Sequence, residues 1–379
     1  MSHSLPADPP GARSLTGVVP HVIAALEGGD SWFAPARSGV VLLVDGLGRG
    51  NLTARAGHAR FLTQRMTKKD AARTVFPSTT AAGLGSLLTG TAPGAHGLVG
   101  YRARVPGTDK APNQLRGYET DGLDPLTWQL QQPILDREAQ HGRPVFVVTK
   151  AMYRDTGFTR ALMRGAQFVA ASTIAERVEV AADLALRHPG ALVYAYVPEL
   201  DGLGHAKGWE SDEWSAGLEI VDAAARALDD ALGGAAGAVL TADHGMVDVP
   251  RHRQMLLSDS DPLLDGVRLI GGEPRMLHLY SEDGEAVSLL ARWRDAEAQR
   301  SWVLSRSEAI EAGLFGAAVD AGVVPRIGDV LVAARSAVAY YDDRELDKKP
   351  QKMVGQHGSL TEQERIVPLV RLGAFAPER

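Results

Sequence analysis

Val40-Val41-Leu42-Leu43-Val44-Asp45-Gly46-Leu47-Gly48 is the stretch that decides the fold class. Its first five residues are apolar without a break, which is how a strand buried on both faces reads; a half-exposed strand would alternate. The run stops at a carboxylate followed by glycines, the punctuation of a turn. The same pattern recurs in Val145-Phe146-Val147-Val148, in Leu192-Val193-Tyr194-Ala195-Tyr196-Val197 and in Ala238-Val239-Leu240-Thr241. Between the last two lies a helical segment, 211–232. Ser211 is placed to cap it, Trp214, Leu218, Val221, Ala225, Leu228 and Leu232 fall on one stripe, and Gly233-Gly234 stops it. Buried strands alternating with amphipathic helices predict an α/β fold with a large, mostly parallel central sheet flanked by helices. Ligands of such sheets bind at the carboxyl ends of the strands, where Asp45 falls.

Beyond residue 250 the rhythm changes. A polar stretch, Ser258-Asp259-Ser260-Asp261-Pro262, is followed by a strand-like Met276-Leu277-His278-Leu279-Tyr280 and a helix-like 285–298. A further buried-strand pattern, Val330-Leu331-Val332-Ala333, follows Arg326-Ile327-Gly328-Asp329. We read 1–250 as the α/β core, 251–325 as a small α+β insertion and 326–379 as the return to the core.

The 379 residues include no cysteine, and 46 Asp+Glu against 40 Lys+Arg leave a net charge of −6. Without thiols there are no disulfides, thiolate zinc sites or cysteine nucleophiles, so any metal must be held by His and carboxylates. The negative balance argues against a nucleic-acid polymer as partner, since such binders usually carry a basic surplus. No apolar run approaches the roughly 18 residues a membrane span needs. The opening MSHSLPADPPGARSLTG lacks an apolar core after a basic start and does not read as a secretory signal. The expectation is a cytoplasmic protein with no membrane partner and an oligomeric state that the sequence leaves open.

Five segments carry the chemistry. In the first, Asp45 ends a buried strand. The glycines after it invite a dinucleotide fingerprint, yet G-x-G-x-x-G would need a third glycine where Asn51 stands. In the second, a strand-like Thr74-Val75-Phe76 leads into Pro77-Ser78-Thr79-Thr80 and a small-residue helix that closes at Thr89-Gly90. Taken alone, Ser-Thr-Thr before a helix is a cap; it is also where backbone N–H groups favour an anion. The third, Asp201-Gly202-Leu203-Gly204-His205, spaces an Asp and a His four apart, so that one helical turn lets both reach one cation. The fourth is Asp243-His244 after another strand, and the fifth a glycine-flanked His357. Together they supply three Asp, three His and a hydroxyl, enough for two metal ions with an open position each.

In order, VDGLG, FPSTTAAGLGSLLTGTAPGAHG, DGLGH, TADHGM and GQHG resemble the alkaline phosphatase superfamily, in particular its nucleotide pyrophosphatase/phosphodiesterase family. The resemblance covers about 38–250 and 326–370. It implies an alkaline phosphatase-like fold and two metal sites, one of Asp201, His205 and His357, the other of Asp45, Thr80, Asp243 and His244. The nucleophile it implies lies nine residues before Thr89, which is Thr80.

The activity implied is a two-metal hydrolase cleaving phosphodiester or pyrophosphate bonds of small nucleotide-type substrates through a phosphothreonine intermediate. Zn²⁺ suits the donor set first, with Mn²⁺ or Fe²⁺ served by the same ligands. Where the family has an Asn five residues after the His of P-x-x-H-G, this chain has Tyr101, followed by Arg102; these are the candidate substrate contacts. The alternatives are a phosphomonoesterase or phosphonate hydrolase of the same superfamily and, from another class, a non-catalytic metal- or nucleotide-binding protein. A basic segment with Lys150, Arg154, Arg160 and Arg164, and the insertion itself, are candidates for substrate selection.

Overall fold

The computed structural model describes residues 4–67 and 69–376. Six strands form the central sheet, in the order Val370–Gly373, Gly237–Thr241, Gly39–Val44, Leu192–Val197, Val145–Thr149, Gln167–Ala170. All neighbours run parallel except the edge strand Val370–Gly373, which is antiparallel to Gly237–Thr241. The continuous apolarity of residues 40–44 follows from their place in the middle of this sheet. Val40, Leu42 and Val44 pack into one buried cluster with the helices Ile174–Arg187 and Asp212–Leu232. Val41 and Leu43 point into a second cluster with the helices Val18–Leu26, Thr80–Thr89 and Gly157–Met163. Strand residues that alternate between two dry faces must all be apolar.

The long helix is built as its sequence predicts. The Ser211 side chain accepts from the Trp214 N–H, the six stripe residues are buried, and Gly233 follows the last turn. The helix Ile174–Arg187 opens with a capping box between Thr173 and Glu176.

Register places the site. Val44 pairs with Val197 and Leu43 with Thr241, so the three central strands end level with one another. The residues that follow, Asp45, Glu199-Leu200-Asp201 and Asp243-His244, therefore emerge along one edge.

A second, four-stranded antiparallel sheet has the order Ser301–Ser305, Val330–Ala334, Met276–Ser281, Val267–Glu273. The helix Ala286–Glu297 covers it with Leu289 and Trp293. Here two expectations are corrected. Val330–Ala334 does not return to the large sheet; it is an inner strand of the small one, and the chain rejoins the large sheet at Val370–Gly373. An apolar run buried on both faces reads the same in either sheet. Likewise Thr74-Val75-Phe76 is not a strand: pairing stops at Arg73, whose Ala71–Arg73 strand is antiparallel to Ile366–Pro368. The Thr74 N–H bonds instead to the Arg365 carbonyl, outside any ladder.

Among the described residues no helix is long and apolar enough to cross a membrane.

Candidate active site

The loop after Gly39–Val44 turns sharply because Gly46 has φ +74° and sits against Asp201, where a Cβ would lie 3.1 Å from the Asp201 backbone. The Gly46 N–H donates to Asp243 Oδ1 at 3.2 Å, tying the first motif to the fourth. Thr80 is the first residue of the Thr80–Thr89 helix, with Thr79 at the N-cap. Gly83, one turn on, lets the helix press against Asp243: a Cβ there would meet the Asp243 side chain at 2.8 Å. Gly46 and Gly83 are thus explained by close approach, not by a phosphate-binding turn.

Asp45, Asp243, His244, His357 and Thr80 are buried. Asp201 and His205, at 19% and 20% side-chain exposure, form the open rim. Thr80 Oγ1 lies 3.2 Å from His244 Nε2, which is 3.4 Å from Asp45 Oδ1 and 3.7 Å from Asp243 Oδ2. Asp201 Oδ1 is 3.3 Å from His205 Nε2 and 3.9 Å from His357 Nε2, and the rings of His244 and His357 stack at 3.6 Å.

These seven groups fit metal binding on three independent counts. Each histidine's Nδ1 meets a backbone carbonyl: His205 with Gly355 at 2.8 Å, His357 with Ser78 at 3.0 Å, His244 with Gly245 at 3.1 Å. With the proton fixed on Nδ1, the lone pair of Nε2 faces the cluster. Asp45 Oδ1, Asp201 Oδ1 and Asp243 Oδ2 are buried without a hydrogen-bond partner, a cost that cations would relieve. The electrostatics agree. Burial, then repulsion from Asp243 and Asp201, pushes the Asp45 carboxyl well up; burial also raises Asp243 and drives His357 well down, helped by His244 and His205. Ligand atoms close enough to share an ion fall into two trios, Asp45-Asp243-His244 and Asp201-His244-His357. The second differs from the expected grouping, since His244 takes the place of His205.

The family model of type I phosphodiesterase/nucleotide pyrophosphatase matches residues 39–360. The chain belongs to that family. Membership makes it a hydrolase of the phosphate-ester-cleaving alkaline phosphatase superfamily. Among solved structures, murine ectonucleotide pyrophosphatase/phosphodiesterase 5, described as an inactive form in complex with AMP, superposes with TM-score 0.68 at 16% identity over 89% of this chain and 88% of its own. The human protein of the same name gives 0.67 at 16% identity, over 90% of each chain. Phosphonoacetate hydrolase from Sinorhizobium meliloti, in complex with phosphonoacetate, gives 0.67 at 19% identity, over 89% of this chain and 91% of its own. All three share the mixed α/β fold with its mostly parallel sheet. No curated protein matches the sequence.

The candidate substrate contacts lie apart from the cluster. Arg102 pairs with Glu345 at 3.0 Å and donates to the Ala111 carbonyl, while the exposed Tyr101 ring stands at a cleft of about 430 Å³ that Arg102 also lines. Lys150 pairs with Glu199 at 3.0 Å, Arg164 with Asp136 at 3.5 Å, and Arg154 stacks on Phe168. His96, the histidine of P-x-x-H-G, is structural: Nδ1 accepts from the Leu98 N–H, Nε2 meets Ser86 Oγ at 2.8 Å, and burial lowers its pKa to about 3.

Sequence reasoning missed Tyr196, whose hydroxyl donates to Asp45 Oδ2. Burial, then the charges of Asp45 and Asp243, push the phenol's pKa up and keep it a donor. It leaves Asp45 Oδ1 as the free ligand atom. The only signal was a polar tip inside a buried strand. Tyr196→Phe is expected to weaken metal binding by about 10- to 100-fold, as loss of a ligand-orienting group does. Competition with a chromophoric chelator measures this; an unchanged affinity would remove Tyr196 from the site's support.

Missed too were groups that the small sheet contributes. Arg275, fully buried, makes two bonds to Glu364 at 2.7 and 2.8 Å, and Glu364 accepts from the Ser359 N–H at 3.0 Å, two residues beyond His357. Glu273 accepts from the Tyr101 N–H at 2.8 Å and presses on Gly358, with Oε1 buried and unpartnered. Burial pushes its pKa well up, so the folded chain holds a proton there that the unfolded chain releases. Stability therefore falls as pH rises above the unfolded carboxyl range. Glu273→Gln, neutral at every pH, should gain on the wild type by up to about 1.4 kcal/mol per pH unit across that window. Urea melts at pH 5 and pH 8 test this; a difference independent of pH refutes it.

Proposed function

We propose that the chain is a two-metal hydrolase of phosphodiester or pyrophosphate bonds in small nucleotide-type substrates, with Thr80 as nucleophile. The observation that carries this is Thr80 Oγ1 at the N-terminus of its helix, 3.2 Å from His244 Nε2, in a site where Asp45 Oδ1 and Asp243 Oδ2 are buried with no hydrogen-bond partner. Asp45, Thr80, Asp243 and His244 would hold one divalent ion, and Asp201, His205 and His357 the other. Zn²⁺ fits three His and three Asp best, with Mn²⁺ or Fe²⁺ next. Bound there, the ions supply Lewis-acid polarisation of the phosphoryl group and a lowered hydroxyl pKa.

The chain's own residues supply the rest. Thr80 Oγ1 attacks phosphorus, the Thr80 O–P bond forms, and the bond to the leaving oxygen breaks on the opposite side. The helix N-terminus directs backbone N–H groups and a partial positive charge at the phosphoryl oxygens. The phosphothreonine so formed still carries the substrate's remaining ester group; water attacks its phosphorus, the Thr80 O–P bond breaks, the monoester leaves, and a proton of that water restores the hydroxyl. Two in-line displacements give net retention at phosphorus. We assign the non-reacting part of the substrate to the cleft lined by Tyr101 and Arg102; Glu345 already engages Arg102, so Tyr101 is the freer contact.

A phosphonate hydrolase is the second reading, supported by Tyr101 standing where the family has Asn and by the likeness to phosphonoacetate hydrolase. The intact set of seven groups counts against a non-catalytic binding protein. A panel of p-nitrophenyl mono- and diesters and phosphonoacetate, with and without Zn²⁺ or Mn²⁺, decides among them. Metal-dependent turnover favouring diesters is expected; turnover of phosphonoacetate alone overturns the diesterase reading.

A further inference from the structure

A cavity of about 480 Å³, lined by none of the seven site residues, opens between residues 9–13, the start of the Arg49–Ala54 helix and the Ala71–Arg73 strand. Its charged lining is cationic throughout: Arg13, Arg49, Lys69 and Arg73. In a chain of net charge −6 such a concentration is a local exception. The carboxylates nearby engage Arg73 and residues outside the cavity and leave the other three cations alone. Asp8 bridges Arg73 at 3.3 Å and Arg365 at 2.8 Å; Asp70 binds Arg371 at 3.0 Å and accepts from the N–H and hydroxyl of Thr67. Among the described residues Arg13, Arg49 and Lys69 enter no ion pair within 4.0 Å. Arg13 Nη1 and Arg49 Nε are buried with no hydrogen-bond acceptor.

A buried guanidinium N–H without an acceptor carries an uncompensated desolvation cost. Two such groups lining one cavity with the unpaired Lys69, while Arg73 is engaged by Asp8, call for an anion with several acceptor oxygens, and the planar fork of arginine matches phosphate. The cavity is larger than inorganic phosphate needs and lies in the range of about 300–1,000 Å³ usual for small-molecule sites. Pro9, Pro10 and Ile366 give it an apolar side. We propose that this cavity is a second anion site, distinct from the metal cluster, that takes a small phosphate monoester by its dianionic phosphate. The proposal does not depend on the catalytic reading.

The test is phenylglyoxal footprinting of the full-length, zinc-loaded protein, read by mass spectrometry at Arg13 and Arg49. The probes are AMP, inorganic phosphate, adenosine and phosphatidic acid vesicles. AMP and phosphate should protect both arginines saturably, while adenosine and the vesicles leave labelling unchanged. In parallel, calorimetric titration with AMP should show Arg13→Gln/Arg49→Gln binding one equivalent fewer than the wild type, with kcat/KM on a p-nitrophenyl diester unaltered. Labelling indifferent to AMP and phosphate overturns the proposal, as does equal protection by adenosine. Protection by vesicles alone would make the site a lipid-headgroup contact and overturn the small-molecule assignment. The footprint needs no variant, so a failure of the double variant to fold leaves the proposal falsifiable.

Discussion

Alanine at position 80 is expected to lower kcat by about 10⁴-fold or more, the scale on which removing a nucleophile acts. Thr80→Ser, which keeps the hydroxyl, should remain active. The size follows from the local geometry. Thr80 is 9% exposed and its hydroxyl meets His244 at 3.2 Å, in a pocket that supplies no second hydroxyl with the same aim. Ser78 Oγ donates to the Ser359 carbonyl, while Thr79 is fully buried and caps no backbone N–H. Acid quenching of the wild type during turnover of a diester should trap the substrate's phosphoryl group, with its remaining ester, on a peptide containing Thr80, and the alanine variant should trap none. Near-full diesterase activity in Thr80→Ala at saturating metal would refute the assignment.

The sheet, its helices and the catalytic edge were legible in the sequence because each rests on a local rule. A strand buried on both faces needs unbroken apolarity, and residues 40–44, 145–148, 192–197 and 238–241 all meet that requirement and all lie in the large sheet. Polar residues directly after such runs must lie at strand ends, so Asp45 and Asp243 could be placed before any contact was known. Sequence pattern alone could not tell which sheet a buried strand joins. Val330–Ala334 satisfies the same rule as residues 40–44 but pairs with Met276–Ser281 and Ser301–Ser305. Pairing partners are a long-range property and leave no mark on the run itself. The supporting groups were invisible for the same reason. Tyr196 orients Asp45 across 151 residues of chain, and Arg275 reaches Glu364 across 89. The resemblance supplied seven candidate site residues; it could not supply how close His244 Nε2 stands to the donors of both trios.

The place of His244 beside Thr80, Asp45 and Asp243 makes His244→Ala the sharpest test of the metal reading. Its Nε2 lies within reach of the donors of both trios but offers a single lone pair, so its loss takes one donor from the ion that Asp45 and Asp243 would hold. Metal analysis should find about one ion per chain where two are expected of the wild type, and activity should fall with it by about 10²-fold or more. His205→Ala should be milder. His205 stands on the rim, 3.3 Å from Asp201, and belongs to neither trio, so only the Asp201 site should weaken.

Stability gives a readout independent of turnover. Metal that binds the folded chain alone stabilises it by about 4 kcal/mol at a thousandfold excess over Kd. Chelation should therefore lower the wild-type Tm by several degrees. The fall should be large because what remains is a buried set of carboxylates, Asp45 Oδ1 and Asp243 Oδ2, with nothing to bond. His244→Ala should melt between the wild type and its chelated form and respond less than the wild type to further chelator. A wild-type Tm indifferent to chelation, or a His244→Ala chain that keeps both ions, would mean that these seven groups do not form the binuclear centre.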